Sequence, residues 1–308
     1  MTQAITWHEI TQKEYQSHEQ AVRRLPLLQC ADYASPVTHD GHFLLVKNDH
    51  AIGLCKIHTL YIDLIQRAYY AVMLDRGPVW FDDHGTLENF ELFIQSFNKR
   101  FPKRFGRKRR LIAEIDTAHD IMIKHGWQKK GAGYETIWLD LTQPTETLHA
   151  HLKKNWRGAL KKAQASDLTI EWDEHGKTLP FTLKAYGLDK KRRNYPGPSV
   201  PFMTEITRTF TQTGNCLIAR ALKDGNCIAF ALILKHGASA TYQIGWTIDQ
   251  GRGSSAHHFI LWDAVNVLKQ KGYKDFDLGG LNSETANGVG KFKMGMGGAL
   301  MRGSGLYV

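Results

Sequence analysis

The sequence contains no apolar run that could cross a bilayer. Its stretch Ala229–Leu234 is far short of the roughly 20 residues that a spanning helix needs. The opening residues, MTQAITWHEI, lack the basic and apolar regions of a secretory signal. Cysteines number only 4, at positions 30, 55, 216 and 227, and no two have CxxC spacing. Their flanks look like strand or core, so they read as reduced, buried thiols of a cytoplasmic protein. The 15 histidines are scattered with no HExxH, and His257 and His258, being adjacent, are expected on different faces of a helix. A metal requirement is therefore not expected, and with no Walker loop neither is a tightly bound nucleotide. No Ser-His-Asp or Cys-His arrangement can be read from spacing.

Acidic residues are the scarcer charge. The chain of 308 residues has 40 Lys plus Arg against 30 Asp plus Glu, a net charge of +10. That excess points to a polyanionic partner: nucleic acid, nucleotide phosphates or an anionic membrane face. The length suits two domains or one large one, and it suffices to bury a core without disulfides or metals.

Residues 41–80 read as a meander of strands, HFLLVKN, AIGLCKIHTLYI and RAYYAVML, turning at Asn48-Asp49-His50 and ending at Arg76-Gly77-Pro78. A helix over 86–101 follows, capped by Thr86, with Leu87, Phe90, Phe93, Ile94 and Phe97 on one face. Then come the strand RRLIAEID, a short helix around AHDIMIKHGW and the strand ETIWLDL. The second half repeats the order. A basic helix over 146–165, the strand LTIEWD and helices in 181–191 and 202–212 precede a second meander over 215–248. An amphipathic helix over 256–271 and the strand YKDFDLGG close it. Two related α/β domains with mixed sheets are expected, 1–143 and 144–308, parted where Gln143-Pro144 breaks the chain.

Three segments carry candidate chemistry. The helix 146–165 presents Lys153, Arg157 and Lys161 at i, i+4 and i+8, flanked by Lys154 and Lys162. Such a stripe repels itself, so it reads either as a face for an anionic partner or as a merely solvated face. The loop Lys99–Arg110 has 8 basic residues in 12 and suits a phosphate backbone or an anionic lipid surface. Its Phe101 and Phe105 are expected to tuck into the domain. Gln250–Ala256 nearly fits the glycine-rich loop that holds the coenzyme A pyrophosphate in acetyltransferases, with Ser255 where Gly or Ala is expected. Asp277-Leu278-Gly279-Gly280 at a strand end, followed by Lys291-Phe292-Lys293, brings polar groups to a carboxyl end of the sheet, where open α/β sheets place ligands.

At these residues the chain resembles the Fem family, the non-ribosomal peptidyl aminoacyltransferases that build peptidoglycan side branches. In the first half the resemblance rests on Leu28-Gln29 with Ala31-Asp32-Tyr33, on Arg76-Gly77-Pro78, and on Tyr134-Glu135-Thr136 running into Trp138-Leu139-Asp140-Leu141. In the second it rests on Arg157 and Lys162-Ala163, Tyr242, Trp262-Asp263-Ala264, Gly272, Asp277 and Gly280, Phe292-Lys293, and Gly297-Gly298. It implies two tandem acetyltransferase-like (GNAT) domains. It also implies transfer of an amino acid from aminoacyl-tRNA to an amine of a UDP- or lipid-linked muropeptide, with peripheral contact at the inner membrane surface. Lys293, with Phe292 beside it, would stabilise charge on the reacting carbonyl. Arg193, Tyr242, Arg157 and Asp277 would contact substrate, and no cofactor is implied.

The chain also departs from the family. Some members have a pyrophosphate-binding lysine where this sequence reads Ser35-Pro36-Val37-Thr38, and the arginine matched to Arg193 has Arg192 adjacent. No heptad run supplies the coiled-coil insertion of some members. Two other readings stay open: an N-acyltransferase of the same fold using acyl-CoA, and a non-catalytic binder of RNA or anionic membrane.

Overall fold

The computed structural model describes residues 4–35, 38–62, 65–114, 118–195, 197–281 and 287–308. The first part of the chain forms β1 (Thr6–Glu9), α1 (Gln12–Glu19), β2 (His39–Lys47), β3 (His50–Ile62), β4 (Ile65–Asp75), β5 (Val79–Trp80), α2 (Leu87–Arg100), β6 (Lys108–Ala113), α3 (His119–Lys124) and β7 (Lys129–Gly131). The second forms β8 (Glu135–Asp140), α4 (Thr145–His151), α5 (Lys154–Gln164), β9 (Thr169–Asp173), α6 (Leu179–Arg193), α7 (Val200–Gln212) and the meander β10 (Cys216–Lys223), β11 (Asn226–His236), β12 (Ser239–Thr247). It continues through α8 (Asp249–Gly253), α9 (Ala256–Gln270), β13 (Asp275–Asp277), α10 (Asn287–Met294), β14 (Ala299–Arg302) and β15 (Gly305–Tyr307).

Each mixed sheet is built from its meander outward. In the first, the strand order is β1-β2-β3-β4-β6-β15-β7, with β5 beside β3. β4 and β6 run parallel, and the other strand pairs of this sheet are antiparallel among the described residues. Thr86 caps α2 by accepting from the Asn89 amide, and Phe90, Phe93, Ile94 and Phe97 bury the helix's apolar face in the first core. Burying each such side chain contributes roughly 1.5–3 kcal/mol. In the second sheet the order is β14-β8-β13-β12-β11-β10-β9, with β12 and β13 parallel. α9 covers it through Ile260, Leu261, Ala264, Val265 and Leu268. Cys30, Cys55 and Cys216 are buried free thiols, while Cys227 is only half-buried.

The chain exchanges strands between the sheets. It leaves the first sheet after β7 to form β8 in the second, then leaves the second after β14 to return as β15. The compact units therefore comprise 1–135 with 301–308, and 136–300. They do not part at 143/144: Gln143-Pro144 is a local break, but β8 has already joined β13 through Asp140↔Asp275 and Trp138↔Asp277. The last residues are invisible as a strand of the first sheet because their β partner, β6, is far back in sequence.

Other expectations need adjusting. The basic helix is two helices, because Leu152 is buried and Lys153 is extended, its amide donating to the Gly295 carbonyl at 2.9 Å. Phe101 is buried as expected, but Phe105 is fully exposed. The last residues of RRLIAEID and the Pro36-Val37 pair lie outside the described residues.

The crossing strands leave no room for side chains at two glycines. Gly303 donates to the Tyr134 carbonyl at 2.9 Å, and a Cβ on Gly133 would stand 1.7 Å from the Gly303 oxygen. Gly133→Ala is therefore expected to lower unfolding free energy by about 3 kcal/mol in a denaturant titration. Gly158→Ala, inside α5 with open space at its Cβ, is expected to raise it by about 0.5–1 kcal/mol. Equal effects at the two positions would contradict the crossing.

Candidate active site

β12 and β13 pair only over Ser239–Thr241 and Asp275–Asp277. Past Thr241, β12 runs on with β11 as its strand partner, so the sheet splays at Tyr242. The chain turns after β13 through Asp277. This carboxylate is fully buried and accepts from the Gly279 amide at 2.8 Å and from the Thr136 hydroxyl of β8. It holds the turn and does not face solvent.

Lys293 reaches into the splay from α10, not from a strand end. It is buried, not a surface lysine: its ammonium donates to the Gly280 carbonyl at 2.9 Å and lies 5.6 Å from the Tyr242 ring centre. Burial pushes this ammonium down to about 8, with the Asp277 charge opposing. The Tyr242 hydroxyl shares a 2.5 Å hydrogen bond with His257 Nε2, and burial raises its titration well above the ordinary range. Burial, with His258 and Lys293 adding, holds His257 down to about 4, so the imidazole is neutral at pH 7. A Cβ on Gly245 would stand 1.6 Å from the Tyr242 hydroxyl, so only glycine admits this pair.

Phe292 packs between aromatic neighbours. Its ring centre is 6.0 Å from Trp156, 5.9 Å from His257 and 4.9 Å from His258. The adjacent histidines do not point apart so far as expected: both border one phenylalanine. Trp156, His258 and Phe292 line a groove of ≈ 570 Å³, with Lys153, Lys154 and Lys291 on it as cations. The buried indole N–H of Trp156 has no hydrogen-bond partner among the described residues.

The remaining expected contacts lie elsewhere. Arg157 spends Nη1 on the Ala150 and Leu152 carbonyls, at 2.8 and 2.7 Å, and so ties α4 to α5. Arg193 ends α6 and pairs with Asp189 at 2.9 Å, as Arg192 does at 2.8 Å. The Gln250–Ala256 segment is not an open glycine loop. α8 occupies most of it, and the amides of Arg252, Ser254, Ser255 and His258 donate to Ile248, Gln250, Arg252 and Ser255 carbonyls.

In the first unit, Gln29 explains one family signature. Its side-chain amide bonds the Lys56 and Asp75 carbonyls and accepts from the Lys56 amide, and Gly77 leaves space for it. A lysine does sit beneath the Cys30–Ser35 segment, but it comes from β3. Lys56 is fully buried and its ammonium donates to the Cys30 and Tyr33 carbonyls.

Trp156 and Gly245 escaped the sequence reading, while Thr136 stood there only within the family pattern and His257 only as half of an adjacent histidine pair. A tryptophan in a basic helix reads as core, and only the fold brings Tyr242 to His257. Among the described residues, no three His, Cys, Asp or Glu side chains are grouped to hold a metal.

Burial of Lys293 fixes the sign of its linkage. Below about pH 8 both folded and unfolded states hold the proton, and the buried charge costs its full desolvation. From about 8 to 10.5 only the unfolded chain keeps it, so this group adds stability as pH rises. Lys293→Met is therefore expected to be at least as stable as wild type at pH 7, the advantage shrinking across that window. Denaturant titrations at both ends check this; a variant that unfolds would make Lys293 structural.

Residues 150–293 match the family described as acetyltransferase (GNAT) domain. No curated protein sequence matches the chain. Among solved structures, the chain is similar to FemX, at 13% identity and TM-score 0.78, covering 98% of this chain and 96% of that one. It is similar to the C-terminal domain of a putative lysylphosphatidylglycerol synthetase from Agrobacterium fabrum, at 15% identity and TM-score 0.58, covering 97% and 92%. A tandem GNAT protein from the clavulanic acid biosynthesis pathway follows at 9% identity and TM-score 0.55, covering 98% and 97%. Residues 150–293 are thus an acyltransferase domain of the GNAT type, in a chain that shares its fold with FemX over nearly its whole length.

Proposed function

We propose that the protein moves an amino acid from aminoacyl-tRNA to an amine of a peptidoglycan precursor peptide. The observation that carries the reading is the desolvated Lys293 ammonium at the splay beside Tyr242. In such a transfer the amine nitrogen attacks the ester carbonyl, whose oxygen gains negative charge. Collapse forms the amide, breaks the ester C–O bond and leaves the ribose oxygen to take a proton, while the amine gives one up. An ammonium has three donors, one of them spent here on Gly280. The others suit the developing oxyanion, and that interaction is stronger in the transition state than in the ground state.

The donor class is supported by two further features. In the segment that would cradle a coenzyme A pyrophosphate, the amides of Arg252, Ser254 and Ser255 bond to nearby carbonyls instead. The groove at Trp156 and Phe292, with Lys153, Lys154 and Lys291, combines cations with ring faces, the combination that suits a single-stranded RNA end. Acyl-CoA remains the alternative donor to be tested, and a lipid-linked or UDP-linked muropeptide the acceptor.

The experiment offers the protein a charged tRNA pool or acetyl-CoA, each with muropeptide, and reads the acceptor's mass. An aminoacyl mass shift from tRNA alone is expected; an acetyl shift would reassign the donor. Lys293→Met is expected to lose about a hundredfold or more in kcat with little change in donor KM. The wild-type rate is expected to fall above about pH 8 as the ammonium deprotonates, and the Met variant to lack that fall. A variant that turns over like wild type would remove Lys293 from the chemistry.

A further inference from the structure

The basic loop of the first unit raises a different question. Phe105 is fully exposed, while the next most exposed large apolar side chain among the described residues, Leu188, reaches 62%. A single exposed ring is ordinary on a protein surface; this one stands at the tip of a loop whose other exposed side chains are basic. The backbone holds it there: the Arg107 amide donates to the Arg104 carbonyl at 3.1 Å, closing a four-residue turn with Gly106 at its third position and φ of +77°. That is the geometry of a type II turn, with Phe105 at its apex. The roots of the loop are fixed. Phe101 packs 5.1 Å from Phe97, and Arg109 bonds Asn98 and the Phe101 carbonyl and covers the Trp127 ring at 4.4 Å.

The surroundings are basic. Lys103, Arg104 and Lys108 are exposed around the apex, and Lys99–Arg110 contains no acidic residue. Beside it Lys103, Arg107 and Lys108 line a groove of ≈ 530 Å³ whose apolar side includes Leu60 and Val72. We infer that this turn docks the protein on an anionic phospholipid surface, Phe105 entering the interface while Lys103, Arg104 and Lys108 meet the phosphate headgroups. A single apolar tip ringed by cations suits the headgroup boundary, where the ring leaves water and the charges stay in it. Single-stranded RNA is usually held on successive aromatic platforms, and the loop's other ring, Phe101, is buried. Each basic residue near an anionic surface strengthens binding about fivefold, so several cations with one inserted ring give reversible attachment. This goes beyond the proposed transfer and does not depend on its donor.

The test is co-sedimentation of the full chain with vesicles of equal parts phosphatidylglycerol and phosphatidylcholine, against phosphatidylcholine alone. Wild type is expected to bind the first and not the second. Phe105→Ser is expected to weaken binding about tenfold or more, with unchanged melting temperature because nothing packs on the ring. Joint change of Lys103, Arg104 and Lys108 to Gln is expected to abolish it. Binding of the Ser variant to tRNA and its transfer to a soluble muropeptide should match wild type. Equal vesicle binding by wild type and Phe105→Ser overturns the inference. So does wild-type binding that ignores phosphatidylglycerol, or a Ser variant that loses tRNA and keeps vesicles. A chain that transfers nothing yet binds vesicles through Phe105 refutes only the proposed transfer.

Discussion

An ammonium kept out of water is the constraint on which the second unit's site depends. Lys293 can hold its place only if a carbonyl, a ring and a turn are already there. Gly280 supplies the carbonyl and Tyr242 the ring. The turn exists because buried Asp277 binds the Gly279 amide and Thr136. Thr136 is beside it because β8 joins β13. β8 in turn follows the segment where Gly133 passes Gly303 without side chains between them. The pairing of β8 with β13 thus sets the frame for a charge placed well along the chain.

Much of this frame was legible in sequence. Both meanders, the Thr86 cap and the helix starting at Ala256 follow from alternation, capping and helical spacing, which are local signals. The exchange of β8 and β15 was not legible, since a three-residue strand such as Gly305–Tyr307 has no period to read and its partners are remote. The break at Leu152–Lys153 was hidden for a similar reason: it is enforced by the Gly295 carbonyl, not by a proline or glycine.

Of the site, Lys293, Phe292 and Tyr242 were reached through the ordered family pattern, and the fold brings Lys293 and Tyr242 together. The sequence places Lys293 only after a strand end, because a helix of eight residues leaves little periodic trace. Arg157 stood in a basic stripe, yet its guanidinium closes two helices. His257 gave no signal beyond its histidine neighbour, because its meaning is its distance to a strand fifteen residues earlier. The basic loop divides similarly: Arg109 and Arg110 serve the fold, through Asn98 and Asp75, while the apex around Phe105 faces solvent.

The most direct test of the account is a titration of the Lys293 side chain itself, followed by NMR of lysines labelled at the ε-carbon and assigned by comparison with Lys293→Met. A midpoint near 8, below the ordinary 10.5, would agree with an ammonium held in a dry site and poised to meet growing negative charge. A midpoint at the ordinary value would mean that the lysine is solvated, and it would contradict the central claim.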